Sequence, residues 1–198
     1  MIRGGLNFKF SMNNFQRVAE LSPDLITFRE NVESFAQSQI KPLAHEIDQM
    51  DKFPSHLWAE MGEQGLLGIT AEEEHGGLNL GYQAHCIAME EISRASGSVG
   101  LSYAAHSQLC INQMVKYGTK TQKEKYLGHL ISGQMVGALA MSEPNAGSDV
   151  VSMKTRASKV EGGWLMNGTK MWITNGSVAD MIIVYAKTQE GNILKLTV

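Results

Sequence analysis

From Leu25 to Tyr117 the apolar residues recur at intervals of three and four, and after Gly133 they gather into short runs separated by glycine. The first spacing places side chains on one face of a helix, and the second suits strands joined by tight turns. Ser22-Pro23 opens the first helix, with Ser as N-cap and Pro in the first turn. Leu25, Phe28, Val32, Phe35 and Ala36 follow on one face, and Pro42 predicts a kink or break before Leu43, Ala44 and Ile47. Pro54-Ser55 starts a second helix that carries Leu57, Trp58 and Met61 and ends near Gly65.

The polar, glycine-rich stretch EEEHGGLNLG (72–81) reads as a connection. A third helix is predicted from Tyr82 to Ala95, with Glu90 and Arg94 spaced as a surface ion pair. A fourth runs from about Val99 to Tyr117, and Leu101, Ala105 and Leu109 form a stripe along it. Thr121-Gln122-Lys123-Glu124 reads as a capping box for a fifth helix that ends around Ser132-Gly133. Beyond it VGALAMS, KTRASKV, WLMNG, MWIT and MIIVYAK are strand-like segments divided by Gly-Gly and Asn-Gly turns. The expected fold is α+β: a flexible tail over 1–20, a helical domain over 21–135, and the start of an antiparallel β-domain over 136–198. MIIVYAK has no obvious follower, and a sheet this small without a closing partner reads as cut short.

The 198 residues are 43% hydrophobic and 19% charged with a net charge of -3. That balance is globular and points neither to nucleic acid nor to an anionic membrane as the main partner. No stretch is long and apolar enough to span a bilayer. Cys86 and Cys110 lie in helical patterns with no C-x-x-C and are expected as buried, reduced thiols. The first nineteen residues hold Arg3, Lys9 and Arg17 and no acid, which fits either the stump of a transit peptide or a frayed tail.

The six histidines form no pair at metal-ligand spacing, so no metal site is expected. Glu72-Glu73-Glu74 reads as a solvated loop, and Glu90-Glu91 as helix surface rather than an acid/base pair. The Leu101/Ala105/Leu109 stripe reads first as helix packing and second as the wall of an acyl pocket. Two segments stand out. In AMSEPNAGSD (140–149) an apolar strand breaks into small residues. Gly147 and Ser148 could turn backbone N–H groups to an anion there, and Met141 and Ser142 could offer peptide groups to a planar heterocycle. In MWITNG (171–176) a Trp stands beside a Thr hydroxyl before a turn. Separately these are a strand-end loop and a hairpin with a core Trp; together they could clamp a cofactor.

SEPNAGSD followed by NGTKMWITNG resembles the flavin-binding signature of the acyl-CoA dehydrogenase family. GLLGI (65–69), the glycine pair 76–77, MEEISRASGSVGLSYAAHSQLCINQ (89–113) and QKEKYL (122–127) extend the resemblance from about Leu21 to Lys187. The long helical block is most similar to the isovaleryl-CoA branch. The resemblance implies helical, β and second helical domains, with FAD between the last two. It implies that Leu139, Ala140, Met141 and Ser142 meet the flavin ring through backbone groups. Gly147 and Ser148 would lie near the FAD phosphate and ribityl region, with Ser148 also reaching CoA. Trp172 would flank the ring, while Ile173 and Thr174 would supply an amide and a hydroxyl at its N5/O4 edge. Leu101, Ala105 and Leu109 gain weight as the wall of a short branched acyl pocket.

The implied chemistry is α,β-dehydrogenation of an acyl-CoA thioester, isovaleryl-CoA in leucine breakdown, with electrons passing to electron-transfer flavoprotein in a homotetramer. The family's catalytic carboxylate lies in the C-terminal helical domain, so no catalytic residue is assigned and the base is expected beyond Val198. Glu143 belongs to the signature loop and is not put in its place. His75 stands where the family has Tyr, and the tail QEGNILKLTV does not look like the expected strand connection. The rival readings are an acyl-CoA oxidase of the same fold and a non-catalytic fragment that binds flavin or intact subunits. The 198-residue chain alone is expected to be inactive. The compartment is bacterial cytoplasm or mitochondrial matrix, according to the source.

Overall fold

The computed structural model describes residues 21–188 and the backbone of 193–197. The 1–20 tail, and residues 189–192 and 198 of the final ten, lie outside the described residues. Helix α1 (Pro23–Phe35) starts where expected, because the Ser22 hydroxyl accepts from the Leu25 amide. Pro42 does not end the rod. Its missing N–H is absorbed by a π-helical segment (Ala36–Ile40) and a 3₁₀ turn (Lys41–Leu43) before α2 (Ala44–Met50). Helix α3 (His56–Glu63) buries Leu57, Trp58 and Met61, and α4 (Gly81–Ala95) packs on α1. The long fourth helix is three pieces: α5 (Gly97–Ala104), a π-helical segment (Ala105–Ile111) and α6 (Asn112–Tyr117).

Helix α7 (Lys120–Ile131) does open on a capping box, but two residues earlier than expected. The Thr119 hydroxyl accepts from the Gln122 amide at 3.3 Å, and the Gln122 side chain accepts from the Thr119 amide at 2.9 Å. Gly133 then turns the chain at φ 74°, and an added Cβ would sit 2.1 Å from the Trp58 carbonyl oxygen. Only glycine lets the chain leave α7 this close to α3.

The sheet is mixed rather than antiparallel. Strand β1 (Gly137–Ala140) pairs in parallel with β4 (Met181–Lys187), which β2 (Arg156–Val160) also joins in parallel at one residue pair, Arg156 with Lys187. The β2–β3 (Gly163–Asn167) and β4–β5 (Ile193–Thr197) ladders are antiparallel. MIIVYAK therefore does have a follower: Ile193–Thr197, within the tail that did not look like the expected strand connection, pairs with it. MWIT forms no strand. One core runs from α1, α3 and α4 through the π-helical segment of the fourth helix to Val136, just before β1, and to Met181 and Ile183 of β4.

Two further expectations change. Glu91 is 2% exposed and sits between Arg29 and Arg94, at 3.7 and 3.6 Å, where it ties α1 to α4. Only Glu90 of that pair is surface, and it pairs with Arg94 at 2.8 Å. Cys86 is exposed, whereas Cys110 is buried, with its thiol pushed up to about 12 by desolvation. Glu72, Glu73 and Glu74 are exposed, as expected of a solvated loop, and the His75 ring lies beside the Glu72 and Glu74 carboxylates, at 3.8 and 3.5 Å.

Candidate active site

Strand β1 stops at Ala140 because the next two carbonyls are taken from outside the sheet. Lys170 Nζ donates to the Met141 oxygen at 2.9 Å, and the Met171 amide donates to the Ser142 oxygen at 3.0 Å. The two segments singled out in the sequence are thus side by side, joined through their backbones. The turn that follows is closed by paired bonds between Glu143 and Ala146, at 2.9 and 3.2 Å. It leaves Gly147 and Ser148 exposed.

The Glu143 side chain points inward. Its oxygens accept from the Lys154 amide at 2.6 Å, the Thr155 amide at 2.9 Å and Lys170 Nζ at 2.9 Å. Desolvation raises the carboxyl's pKa, but the Lys154 amide, the Thr155 hydroxyl, the Lys170 ammonium and the Thr155 amide together outweigh it and draw the group down to about 2. The Thr155 hydroxyl adds to that field without reaching hydrogen-bond geometry. A carboxylate so held is a poor base near neutral pH, so Glu143 is an anchor.

Two non-glycine residues of the second segment adopt left-handed backbone, Trp172 at φ 60° and Asn175 at φ 65°. This is why MWIT is not a strand. Trp172 is 86% exposed, which removes the reading of a core Trp. Its side chain edges a cleft of about 540 Å³ with Ala140, Met166, Lys170, Met171 and Ile173. Leu139, Met141, Ser142, Gly147, Ser148 and Thr174 do not line that cleft. Asn175 turns its side chain back to the helices: Nδ2 donates to the Ser102 oxygen at 2.9 Å and the Gly137 oxygen at 3.3 Å.

His106 fixes the other end of β1. The Gly137 amide donates to its Nδ1 at 2.8 Å, so Nε2 carries the proton and donates to the Leu130 oxygen at 2.9 Å. Complete burial keeps this ring neutral, with its pKa lowered to about 4. His85, likewise lowered to about 4 by burial, donates to Ser107 Oγ at 2.8 Å, because that hydroxyl already gives its proton to the Tyr103 carbonyl.

The apolar stripe does not pack as helix interior. Ala105 is 2% exposed, but Leu101 of α5 and Leu109 of the π-helical segment are 60% and 46% exposed. Lys170, Asn175 and His106 escaped the sequence reading. A lone Lys in NGTKMWIT, two residues before the Trp of an apolar segment, was the available signal for the first. Asn175 read only as turn chemistry, and His106 only as a mid-helix residue.

Known protein families match both parts of the chain. Residues 22–134 match the acyl-CoA dehydrogenase N-terminal domain and residues 138–197 the middle domain. The mitochondrial isovaleryl-CoA dehydrogenase of Arabidopsis thaliana is 65% identical over 165 residues, which are 82% of this chain and 40% of that protein. The mitochondrial 2-methylacyl-CoA dehydrogenase of Solanum tuberosum is 63% identical over 163 residues, 81% of this chain and 40% of that protein. A crystal structure of a glutaryl-CoA dehydrogenase from Mycobacterium smegmatis in complex with FADH2 superposes with a TM-score of 0.86 at 29% identity, covering 90% of this chain and 46% of that one. The chain spans about 40% of the length of the curated relatives it matches. With both domain models matched in order along nearly all of its described residues, the chain belongs to the acyl-CoA dehydrogenase family.

Proposed function

We propose that this chain forms the N-terminal helical (21–135) and central β (136–198) parts of an FAD-dependent dehydrogenase acting on a short branched acyl-CoA, isovaleryl-CoA first among them. The observation that carries the reading is the meeting of 139–142 with 170–174 beside a cleft edged by an exposed, left-handed Trp172. An indole held out of the core on strained backbone, next to Ala, Met and Ile side chains, suits a flat aromatic ring system. The residues present therefore fit a flavin.

Under this reading Leu139, Ala140, Met141 and Ser142 face the ring through backbone groups. Ile173 and Thr174 offer an amide and a hydroxyl to its polar edge, and Trp172 covers its flank. Gly147 and Ser148, exposed on the turn, serve the phosphate and ribityl part, and Ser148 also serves CoA. Leu101, Ala105 and Leu109 form the acyl wall, which accounts for two leucines left facing solvent in this chain. When bound, FAD supplies the acceptor for the substrate's β-hydrogen. Proton removal from the α-carbon needs a carboxylate with a higher pKa than Glu143, and we assign that role outside this chain. Electron-transfer flavoprotein as acceptor, a homotetramer, and the mitochondrial matrix if the source is eukaryotic complete the proposal.

The test is anaerobic titration of the purified, intact protein with isovaleryl-CoA and with 2-methyl-branched acyl-CoA. Loss of oxidised-flavin absorbance with isovaleryl-CoA, and turnover with electron-transfer flavoprotein, is the expected result. Bleaching by the 2-methyl substrate alone would move the substrate to that class, which the potato relative represents. Failure of both substrates to bleach a flavin-loaded protein would sink the proposal.

A further inference from the structure

Asn175 joins three pieces of the molecule with one side chain. Both N–H groups of its amide are used, one on the Ser102 carbonyl of α5 and one on the Gly137 carbonyl at the start of β1. Its left-handed backbone, which Asn tolerates better than most residues, is what turns that amide back toward the helices. Ser102 lies just before the α-to-π junction, where its oxygen also accepts from the Ala105 amide. The three stripe residues Leu101, Ala105 and Leu109 bracket this junction. Thr174 and Ile173 immediately precede Asn175. A single amide thus ties the segment carrying Ile173 and Thr174 to the helix carrying the stripe, across 73 residues of chain.

We propose that Asn175 is a positioning residue: it sets the distance between the acyl wall and the pair Ile173–Thr174, and so between the substrate's reacting carbons and the ring edge. This rests on the roles given above to those two groups. In this role Asn175 acts through the two elements it holds. The tie to Gly137 adds the beginning of β1, whose far end leads into Met141 and Ser142, so wall, strand and ring-edge segment move as one unit. Misplacing reacting groups by about 1 Å costs on the order of 100-fold in rate, with little change in binding.

Two variants of the intact protein separate this role from a merely structural one. Asn175→Gly keeps the left-handed backbone and deletes the amide; Asn175→Asp keeps the shape and sets a carboxylate against two carbonyl oxygens. In both, hydrogen exchange should quicken in residues 98–111 and 171–178 while α3 and α7 keep their protection. Flavin content should be retained, and kcat for isovaleryl-CoA should fall roughly 10- to 100-fold with KM little changed, Asp being the worse. Unchanged exchange would overturn the tie itself. Unchanged kcat, a rise in KM alone, or loss of flavin in step with activity would overturn the positioning role. If the unsubstituted protein turns over no acyl-CoA, the functional assignment above fails, and with it the positioning role, while the exchange measurement still decides whether the tie holds.

Discussion

Replacing Glu143 by Gln preserves the side chain's shape and removes the charge that three donors address. A carboxyl drawn from its ordinary 4.5 to about 2 implies about 3 kcal/mol of stability at neutral pH. The Gln carbonyl oxygen can still accept from one of these donors, which brings the expected cost of Glu143→Gln to about 2 kcal/mol. The sign follows from the lowered pKa. The contribution is whole above 4.5 and drains away as the pH falls toward 2, because the unfolded chain takes up the proton first. Urea unfolding followed by tryptophan fluorescence should show a gap between the two proteins of about 2 kcal/mol at pH 7 that narrows to about 1 near pH 3.5. The buried histidines also titrate on unfolding, but they are common to both proteins and cancel from the difference. Lys170→Met should cost a similar amount, and the double variant less than the sum, because each partner then leaves no stranded charge. A gap below about 0.5 kcal/mol at pH 7, or one that does not narrow on acidification, would refute the anchor.

The unsubstituted chain itself should weaken between about pH 6.5 and 4, since His85 and His106 are held neutral down to about 4 while the unfolded chain protonates them; His106→Phe should flatten part of that slope in a pH series of thermal melts. Gly133→Ala, with a positive φ and the Trp58 carbonyl in its path, should lower stability by about 2 kcal/mol or more in the same melts. Of the three tryptophans Trp58 is buried, Trp164 is 43% exposed and Trp172 is 86% exposed, so Trp172→Phe should remove the more accessible share of the emission that iodide quenches and leave that of Trp164; unchanged quenching would place the Trp172 indole elsewhere.

Much of the helical half was legible because its signals are local. Ser22-Pro23, the Leu57/Trp58/Met61 face and the Glu90–Arg94 spacing each depend on neighbours within one turn. What failed depends on groups far away in sequence. Glu91 looked like surface because its partner Arg29 sits on another helix, and Leu101 looked like core because nothing in its own helix reveals that no described element covers it. MWIT has the composition of a strand, but Lys170 and Asn175 bind carbonyls 29 and 73 residues away and bend it out of one. Neither π-helical segment has a compositional mark; each is the compromise of a rod that must meet Pro42 or the start of the sheet. The strand-end loop was found by its small residues, while the Lys that shapes it was one polar letter in an apolar run.

The pairing of β4 has a consequence for how this chain is made. That strand is the partner of β1, β2 and β5, and its parallel match to β1 joins residues about 44 apart. During synthesis the helices through Ile131 emerge with nearly all of their own contacts available, and β1 can already lie against Cys110 and His106. Until Met181–Lys187 leaves the ribosome, however, the open side of β1 has no strand to join, and the Met141 and Ser142 carbonyls wait for Lys170 and Met171. The interval between those events is when an apolar edge is bare. A ribosome stalled inside it would release a finished helical body with an unsealed strand, the form of this protein most open to capture by chaperones or by its own copies.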